Sequence, residues 1–181
     1  MFEGWNNNHY LLLMDGVPVN DMFYGSAYTS EITPVSIIKS LEVIRGPGSA
    51  LYGSNATNGV ITIHTYSGED LGGRIVTRAR VGDYGTQIYD ITTGNKGKYF
   101  SYVLTYNDYR TNGNGYSGLD GSLRTDTFGY LQKFNIRDNR DSSYFMAKIE
   151  GEDFLKGLVI QYHRQYWNFQ TGHGWIWHAP D

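Results

Sequence analysis

Residues 41–65 read LEVIRGPGSALYGSNATNGVITIHT, and this stretch decides how the rest of the chain is interpreted. Its first five residues alternate in character as a strand does, and Gly46-Pro47-Gly48 predicts a sharp turn around a rigid proline. Ser49 then predicts the cap of one helical turn, which Gly53 ends. An Asn- and Gly-rich loop leads to a second strand, Val60–Thr65. The predicted order is strand, turn, short helix, loop and strand.

The glycine-rich turn raises the question of a phosphate site, because a Gly-rich loop before a helix can hold phosphate. This turn has neither the lysine of a P-loop nor the spacing of a dinucleotide-binding loop. We therefore assign no nucleotide to it.

Upstream of this stretch, residues 11–21 read LLLMDGVPVND. Asp15-Gly16 predicts a tight hairpin turn, and Pro18 predicts an edge position because proline cannot donate to a strand ladder. Thr33-Pro34 predicts the start of a two-turn helix, with Val35, Ile37 and Ile38 facing a core.

After about residue 70 the chain alternates with period two, which predicts strands over 74–81, 86–93, 99–107, 144–150 and 157–167. Over 99–107, one face carries Phe100, Tyr102, Leu104 and Tyr106, and the other carries Tyr99, Ser101, Val103, Thr105 and Asn107. Strands of about 9–11 residues with this pattern suit a tilted crossing of a bilayer. A soluble β-sandwich with one wet face predicts the same alternation.

Loop lengths favour the membrane arrangement. The connections at 82–85 and 95–97 are tight, whereas Thr111–Asp126 is a long glycine-rich stretch. Short turns at one end of the strands and long loops at the other are typical of outer-membrane barrels.

The composition excludes several classes of function. The 181 residues include 23 Gly, 16 Tyr and no Cys, and the net charge is −3. Disulfide scaffolds and thiolate chemistry are excluded, and no basic footprint for nucleic acid is present. The five histidines show no metal spacing, and Glu150 and Asp153 beside Gly151 indicate a turn and not a catalytic pair. We expect no enzyme activity and no cofactor.

The combined motifs resemble the plug domain of TonB-dependent outer-membrane receptors, whose pattern is DG-x-P, I-E-x-I/V-R-G-P, A/S-x-L-Y-G and G-G-V-I-N-I-x-T. The matching stretches here are Asp15–Pro18, Leu41–Pro47, Ser49–Gly53 and Asn58–Thr65. The departures are Asn58 in place of Gly, Thr62 in place of Asn, and His64.

The resemblance implies an α+β plug segment followed by antiparallel transmembrane β-barrel strands, with the barrel incomplete. It implies two parts: residues 1–68 as the C-terminal part of the plug domain, and 69–181 as the first barrel strands and loops. The residues of the plug motif that it marks for structure and plug–barrel contact are Asp15, Gly16, Pro18, Glu42, Arg45, Gly46, Pro47, Leu51, Tyr52, Gly53 and Gly59.

Two of these residues have a specific implied role or an open alternative. In the family, the arginine at the position of Arg45 pairs with glutamates on the barrel wall, whereas a solvated surface charge is the alternative here. Asp15 is either a turn former or a residue that contacts ligand. Arg74, Arg78 and Arg80 share a predicted strand face and either line a polar lumen or face solvent.

The resemblance also implies a function for the parent protein. This is energised uptake of a scarce ligand (a ferric siderophore, haem, cobalamin or similar) across the Gram-negative outer membrane, driven by the TonB–ExbB–ExbD complex. The expected partners are this complex, a small metal chelate or vitamin, and outer-membrane lipid. The N-terminus has no signal-peptide pattern and the length leaves room for about five strands, so we expect a fragment that does not transport alone. The alternative is a soluble carbohydrate- or ligand-binding β domain with a Tyr/Trp-rich platform.

Overall fold

The computed structural model describes residues 9–22, 25–26, 33–46, 48–53, 55–115, 117–119, 125–131, 133–135 and 138–169. The chain divides into two compact units. The first comprises Met1–Ile75, Thr92–Leu104 and Ala147–Gln161, and the second comprises Val76–Ile91, Thr105–Met146 and Tyr162–Asp181. The predicted domain boundary between residues 68 and 69 lies inside the first unit, and it stays a prediction.

The described residues are mainly strands. The strands are β1 Tyr10–Met14, β2 Val17–Pro18, β3 Ile38–Arg45, β4 Gly59–Thr65, β5 Ile75–Gly82, β6 Thr86–Lys96, β7 Phe100–Thr111, β8 Ser117–Leu119, β9 Lys133–Asn135, β10 Arg140–Gly151 and β11 Val159–Phe169. The short helices are α1 Ser49–Tyr52 and α2 Gly68–Leu71, and 3₁₀ turns cover Val35–Ile37 and Asp153–Leu155. No helix in the described ranges is long and apolar enough to cross a membrane.

The first sheet has the order β2-β1-β4-β3. Strand β1 pairs antiparallel with β2 but parallel with β4, and β3 pairs antiparallel with β4. A parallel pair requires a long crossover, which the residues between β1 and β4 provide. Leu11, Leu13, Ala56 and Val60 form a buried cluster against which Ile44 packs. This sheet therefore has an ordinary apolar core.

The predicted Asp15-Gly16 turn is confirmed. Both residues have positive φ, 47° and 86° respectively, as the tightest hairpin turn requires. Pro18 lies in β2 at the edge of the sheet, where its missing N–H leaves no ladder bond unmade.

The two-turn helix predicted after Thr33-Pro34 is wrong. Only the three-residue 3₁₀ turn Val35–Ile37 forms, and Ile38 already belongs to β3, where it pairs with Thr65. Pairing with β4 therefore overrides the local helix signal. Of the three residues predicted to face a core, Val35 is exposed whereas Ile37 is fully buried.

The second sheet has the order β11-β10-β7-β6-β5, and its strands contribute to both units. The faces predicted for β7 are confirmed, because Ser101, Val103, Thr105 and Asn107 are buried whereas Phe100, Leu104 and Tyr106 are exposed. Strands β6 and β10 continue the pattern. Their buried positions include Asp90, Thr92, Ser142, Tyr144, Met146 and Lys148, and their exposed apolar positions include Tyr89, Ile91 and Ile149, whereas β11 is largely exposed on both faces.

The long connection predicted after β7 contains structure of its own. Strand β7 extends to Thr111, and β8 pairs antiparallel with β9 in a separate two-stranded sheet. The connection leads to β10, which is β7's neighbour in the second sheet. Part of it lies outside the described residues.

Candidate functional site: the Asp15 turn and the strands beside it

Asp15 is the most connected of the predicted site residues. Its Oδ1 accepts a hydrogen bond from the Thr65 amide at 2.8 Å, and its Oδ2 accepts one from the Thr65 hydroxyl at 2.5 Å. The Lys148 ammonium lies 3.3 Å from Oδ2, and Gln161 Nε2 donates to the same oxygen at 3.1 Å. The carboxylate therefore joins the β1–β2 turn to Thr65 of β4, Lys148 of β10 and Gln161 of β11, and these four residues all belong to the first unit.

Lys148 is a buried cation, with a side chain 4% exposed. Its ammonium donates to the Thr65 hydroxyl at 2.9 Å and lies 3.7 Å from the Glu150 carboxylate. A charge removed from water to this degree is stable only when it is paired and hydrogen-bonded, as it is here.

Burial by itself would raise the pKa of Asp15, but the hydrogen bonds from Thr65 and the nearby Lys148 ammonium outweigh burial, so the pKa is lowered. Asp15 is thus held as a carboxylate at neutral pH, which is the form that accepts all of these donors.

A second group of contacts lies around helix α2. This helix was not predicted from the sequence. Ser67 and Asp70 form a reciprocal capping box, and Gly72 ends the helix at φ 56°. A Cβ on Gly68 would lie 2.2 Å from the Asn95 carbonyl oxygen, so only glycine fits this close approach to β6. The helix is therefore seated directly on the strand backbone.

Ion pairs also hold α2 in contact with the neighbouring strands. Lys96 at the end of β6 lies 2.8 Å from Glu69 of α2 and 3.5 Å from Glu152. On the plug side, Lys39 of β3 lies 2.6 Å from Asp70, a pair that lowers the pKa of Asp70 to about 2.

Hydrogen bonds within the 41–65 motif stabilise the loop between β3 and β4. The amides of Gly46 and Gly48 donate to the carbonyls of Asn58 and Ala56. A Cβ on Gly59 would lie 2.5 Å from the Ile44 carbonyl oxygen, which explains glycine at this strand start. Helix α1 spans Ser49–Tyr52, so Ser49 is its first residue and not the predicted cap. Leu51 and Tyr52 are exposed, Gly53 has φ 82°, and Pro47 lies outside the described residues.

Arg45 is exposed at the end of β3, opposite Gly59. Within the described ranges its guanidinium makes no ion pair, and its pairing with a barrel glutamate stays a prediction. Glu42 is also exposed, with its carboxylate 3.6 Å from His64 Nε2. The structure thus brings Asp15 to the strand contact, whereas Gly16 is exposed in the turn and Glu42 and Arg45 are exposed on β3.

The three arginines predicted to share a face have different surroundings. Arg74 precedes β5 and donates to the carbonyls of Leu71 and Asp70. Arg80 lies 2.6 Å from Asp90, whose side chain is only 1% exposed and also accepts from Asn107 at 2.7 Å. Arg78 is exposed.

Sequence reasoning missed four residues that carry these contacts: Thr65, Lys148, Gln161 and Asp90. A signal existed for Asp90, because its nearest neighbours on the same strand face, Ile88 and Thr92, are uncharged. The signal for Lys148 was weaker, because Glu150 lies on the same face of β10. Thr65 and Gln161 carried no signal. Within the part of the chain that the structure describes, no three His, Asp or Glu side chains are grouped as a metal site.

Comparison with known proteins finds a family model and several relatives that match parts of this chain. Residues 1–60 match the family model for the TonB-dependent receptor plug domain. The vitamin B12 transporter BtuB of Vibrio vulnificus (strain CMCP6) is 46% identical over 75 residues, which is 41% of this chain and 12% of that protein.

Solved structures share the fold. The FrpB iron transporter from Neisseria meningitidis (F5-1 variant, apoprotein form) has a TM-score of 0.58 at 19% identity, and the match covers 90% of this chain and 25% of that one. Its F3-3 variant gives a TM-score of 0.51 at 21% identity, over 81% and 22%. The chain thus spans about a quarter of the solved chains that it matches. These findings identify it as part of a TonB-dependent receptor, with plug-domain sequence over residues 1–60 followed by antiparallel strands of an incomplete barrel.

Proposed function

We propose that this chain is a segment of an outer-membrane receptor that takes up a scarce ligand with energy supplied through TonB, ExbB and ExbD. The observation that carries the proposal is the plug-domain match over residues 1–60, joined in one chain to strands with an apolar exposed face. An apolar outer face is what strands require in lipid.

The ligand class follows from the relatives. One is named as a vitamin B12 transporter and the other as an iron transporter. We propose a small metal chelate or vitamin, such as cobalamin, a ferric siderophore or haem. Asp90, which is buried in the second sheet and paired with the half-exposed Arg80, supports this proposal, because a ligand-conducting lumen requires polar and charged side chains.

The segment does not transport by itself under this proposal. Its larger sheet is open, because β5 and β11 each have one neighbour among the described strands. Unpaired backbone groups at such edges are not tolerated in lipid, so further strands have to complete the barrel. We propose that residues 1–68 belong to the plug and that residues 69–181 form barrel strands and loops.

For the remaining site residues, we propose that Arg45 on exposed β3 meets acidic side chains of the completed barrel, as in the family. Gly46, Leu51, Tyr52, Gly53 and Gly59 shape the plug loop beside it, and Glu42 lies on the same strand next to His64. Arg78 and Arg80 face the lumen, whereas Arg74 holds the end of α2.

A chimera tests the proposal. Residues 1–68 replace the corresponding plug segment of the Vibrio vulnificus vitamin B12 transporter, and uptake of labelled cyanocobalamin is measured in a cell that lacks its own transporter. We expect TonB-dependent uptake, and reduced uptake for Arg45→Ala. A chimera that reaches the outer membrane in normal amount but takes up no cobalamin would contradict a plug function for this segment.

The second test concerns the segment alone. The full 181-residue chain is refolded into liposomes and examined by gel electrophoresis with and without heating. We expect no heat-modifiable species. A compact, heat-modifiable band would show a closed barrel and refute the claim that the segment is incomplete.

A further inference from the structure

We propose that Asp15 is the residue that anchors the first plug hairpin to strands β10 and β11, and that it acts through its buried ion pair with Lys148. The proposal concerns contacts within this chain and does not depend on the identity of the transported ligand. It assigns to the aspartate of the Asp-Gly turn a role beyond turn formation.

Turn chemistry alone does not require an aspartate at this position. Asp15 has φ 47°, a conformation that asparagine adopts as readily. What asparagine lacks is the second anionic oxygen. Asp15 Oδ2 accepts from three donors on three strands: the Thr65 hydroxyl, the Lys148 ammonium and Gln161 Nε2. An asparagine side chain would leave a donor facing a donor in either orientation: its nitrogen would meet these three donors at the Oδ2 position, or the Thr65 amide at the Oδ1 position.

Lys148 supplies the second half of the argument. Its ammonium is buried, and among the residues that the structure describes the two carboxylates within ion-pair distance are those of Asp15 at 3.3 Å and Glu150 at 3.7 Å. Glu150 is the weaker partner, because its side chain is 33% exposed whereas that of Asp15 is 15% exposed. Loss of the Asp15 charge would leave the buried cation with only the partly solvated Glu150 carboxylate at 3.7 Å as its counter-charge, an unfavourable arrangement.

The neighbouring glycine offers a matched control. Gly16 has φ 86°, and a Cβ added to it would meet no atom within 4 Å. Gly16→Ala therefore strains the turn without touching the carboxylate or its donors, whereas Asp15→Asn keeps the turn and removes the charge.

The experiment measures acetylation of individual lysines in the full chain, folded in detergent micelles, by mass spectrometry. Lys156 is exposed and serves as the internal reference. In the unaltered chain we expect Lys148 to react at least about tenfold more slowly than Lys156, because reaction requires local opening. Asp15→Asn should raise the Lys148 rate about tenfold with Lys156 unchanged, and Gly16→Ala should raise it far less.

A second variant keeps the proposal testable if Asp15→Asn fails to fold. Lys148→Met removes the buried cation, so Asp15→Asn added to Lys148→Met should fold. Because the Thr65 amide itself donates to Asp15 Oδ1, hydrogen exchange is read at the other amides of β4, where Asp15→Asn should change it little compared with Lys148→Met alone. Equal reactivity of Lys148 and Lys156 in the unaltered chain, or equal effects of Asp15→Asn and Gly16→Ala, would overturn the proposal. So would an effect of Asp15→Asn on exchange that is undiminished by Lys148→Met.

Discussion

The two main sheets of this chain bury opposite kinds of side chain. The plug sheet buries Leu11, Leu12, Leu13, Val60 and Ile63, an ordinary aliphatic core. The larger sheet buries a face rich in Ser, Thr, Asn, Asp and Lys and exposes Tyr, Leu and Ile on the other. Strands β6, β7 and β10 of the larger sheet alternate between buried and exposed positions, whereas β1 of the plug sheet is buried at four successive residues.

This difference is the one expected between a sheet that faces water and a sheet that faces lipid. A sheet with water outside buries its apolar side chains, because their transfer from water is favourable. A sheet with lipid outside gains nothing by hiding apolar side chains and is free to turn its polar face inward. The reversal of polarity, and not the strand pattern, is therefore the feature that separates a membrane barrel strand from a strand of a soluble sandwich.

The largest effect should come from the aliphatic core. Leu12 is 0% exposed, and Leu12→Ala should lower the free energy of unfolding by about 2–5 kcal/mol, the cost of a buried cavity. Leu104 on the exposed face of β7 is the matched control, and Leu104→Ala should cost under about 1 kcal/mol in detergent. Urea unfolding of both variants in micelles measures the difference. Equal losses would mean that the two sheets do not differ in what they bury.

The next effect concerns the junction at α2. Gly68→Ala places a methyl group 2.2 Å from the Asn95 carbonyl oxygen, and we expect a loss of up to about 3 kcal/mol from the resulting overpacking. Gly82→Ala is the control, since its nearest contact, Thr86 Cβ, lies at an ordinary 3.5 Å. Proteolysis and urea unfolding compare the two. Should both variants behave alike, the close seat of α2 on β6 would be wrong.

A smaller loss of stability is expected from a change on the polar buried face of the larger sheet. Asp90→Asn removes the charge that pairs with Arg80 and accepts from Asn107, and it should cost about 2 kcal/mol, as expected for a charged hydrogen bond in a buried site. Asp83→Asn in the exposed β5–β6 turn is the control and should change stability by less than about 0.5 kcal/mol. A neutral Asp90→Asn would show that this face is solvated and not buried.

The smallest effect is a loss of stability in acid that depends on the Lys39–Asp70 ion pair. Lys39 first, and then the Ser67 cap, hold the pKa of Asp70 at about 2, below its ordinary value of 3.8. A carboxyl with a lowered pKa stabilises the fold above its unfolded pKa and loses that contribution as pH falls through the folded value. Stability should therefore decline between about pH 4 and pH 2.

Lys39→Met should make this decline shallower, because it removes the main cause of the shift, whereas Lys156→Met should leave it unchanged. Unfolding free energies measured across this pH range give both slopes. An unchanged slope in Lys39→Met would remove the Lys39–Asp70 pair from the account of acid stability.

Much of the fold was predictable from sequence because it depends on local rules. The Asp15-Gly16 turn, the strands around Arg45 and Thr65, and the two faces of β7 follow from turn chemistry and alternation, and the structure confirms each. The Thr33-Pro34 helix failed for the opposite reason, since Ile38 pairs with Thr65 on a strand 27 positions away, a contact that no local rule contains.

The candidate site was less predictable. The motif marked Asp15 but left its role open, because its partners lie 50 residues away at Thr65 and 133 away at Lys148. The parallel pairing of β1 with β4 is also a long-range event. Asp90 stands between the uncharged Ile88 and Thr92 on one strand face, and such an interruption is the sequence signal that a buried polar face carries.

Spin labelling of β7 in lipid-like surroundings tests the central claim most directly. Cysteine is introduced in turn at Leu104, Thr105 and Tyr106 of the full chain in micelles, and each label is exposed to oxygen, which dissolves in the apolar phase, or to a water-soluble nickel complex. The account predicts that labels at 104 and 106 meet oxygen and that the label at 105 meets neither readily. If labels at 104 and 106 instead meet the nickel complex, the exposed apolar face is a water-facing surface and the strands are not those of a membrane barrel.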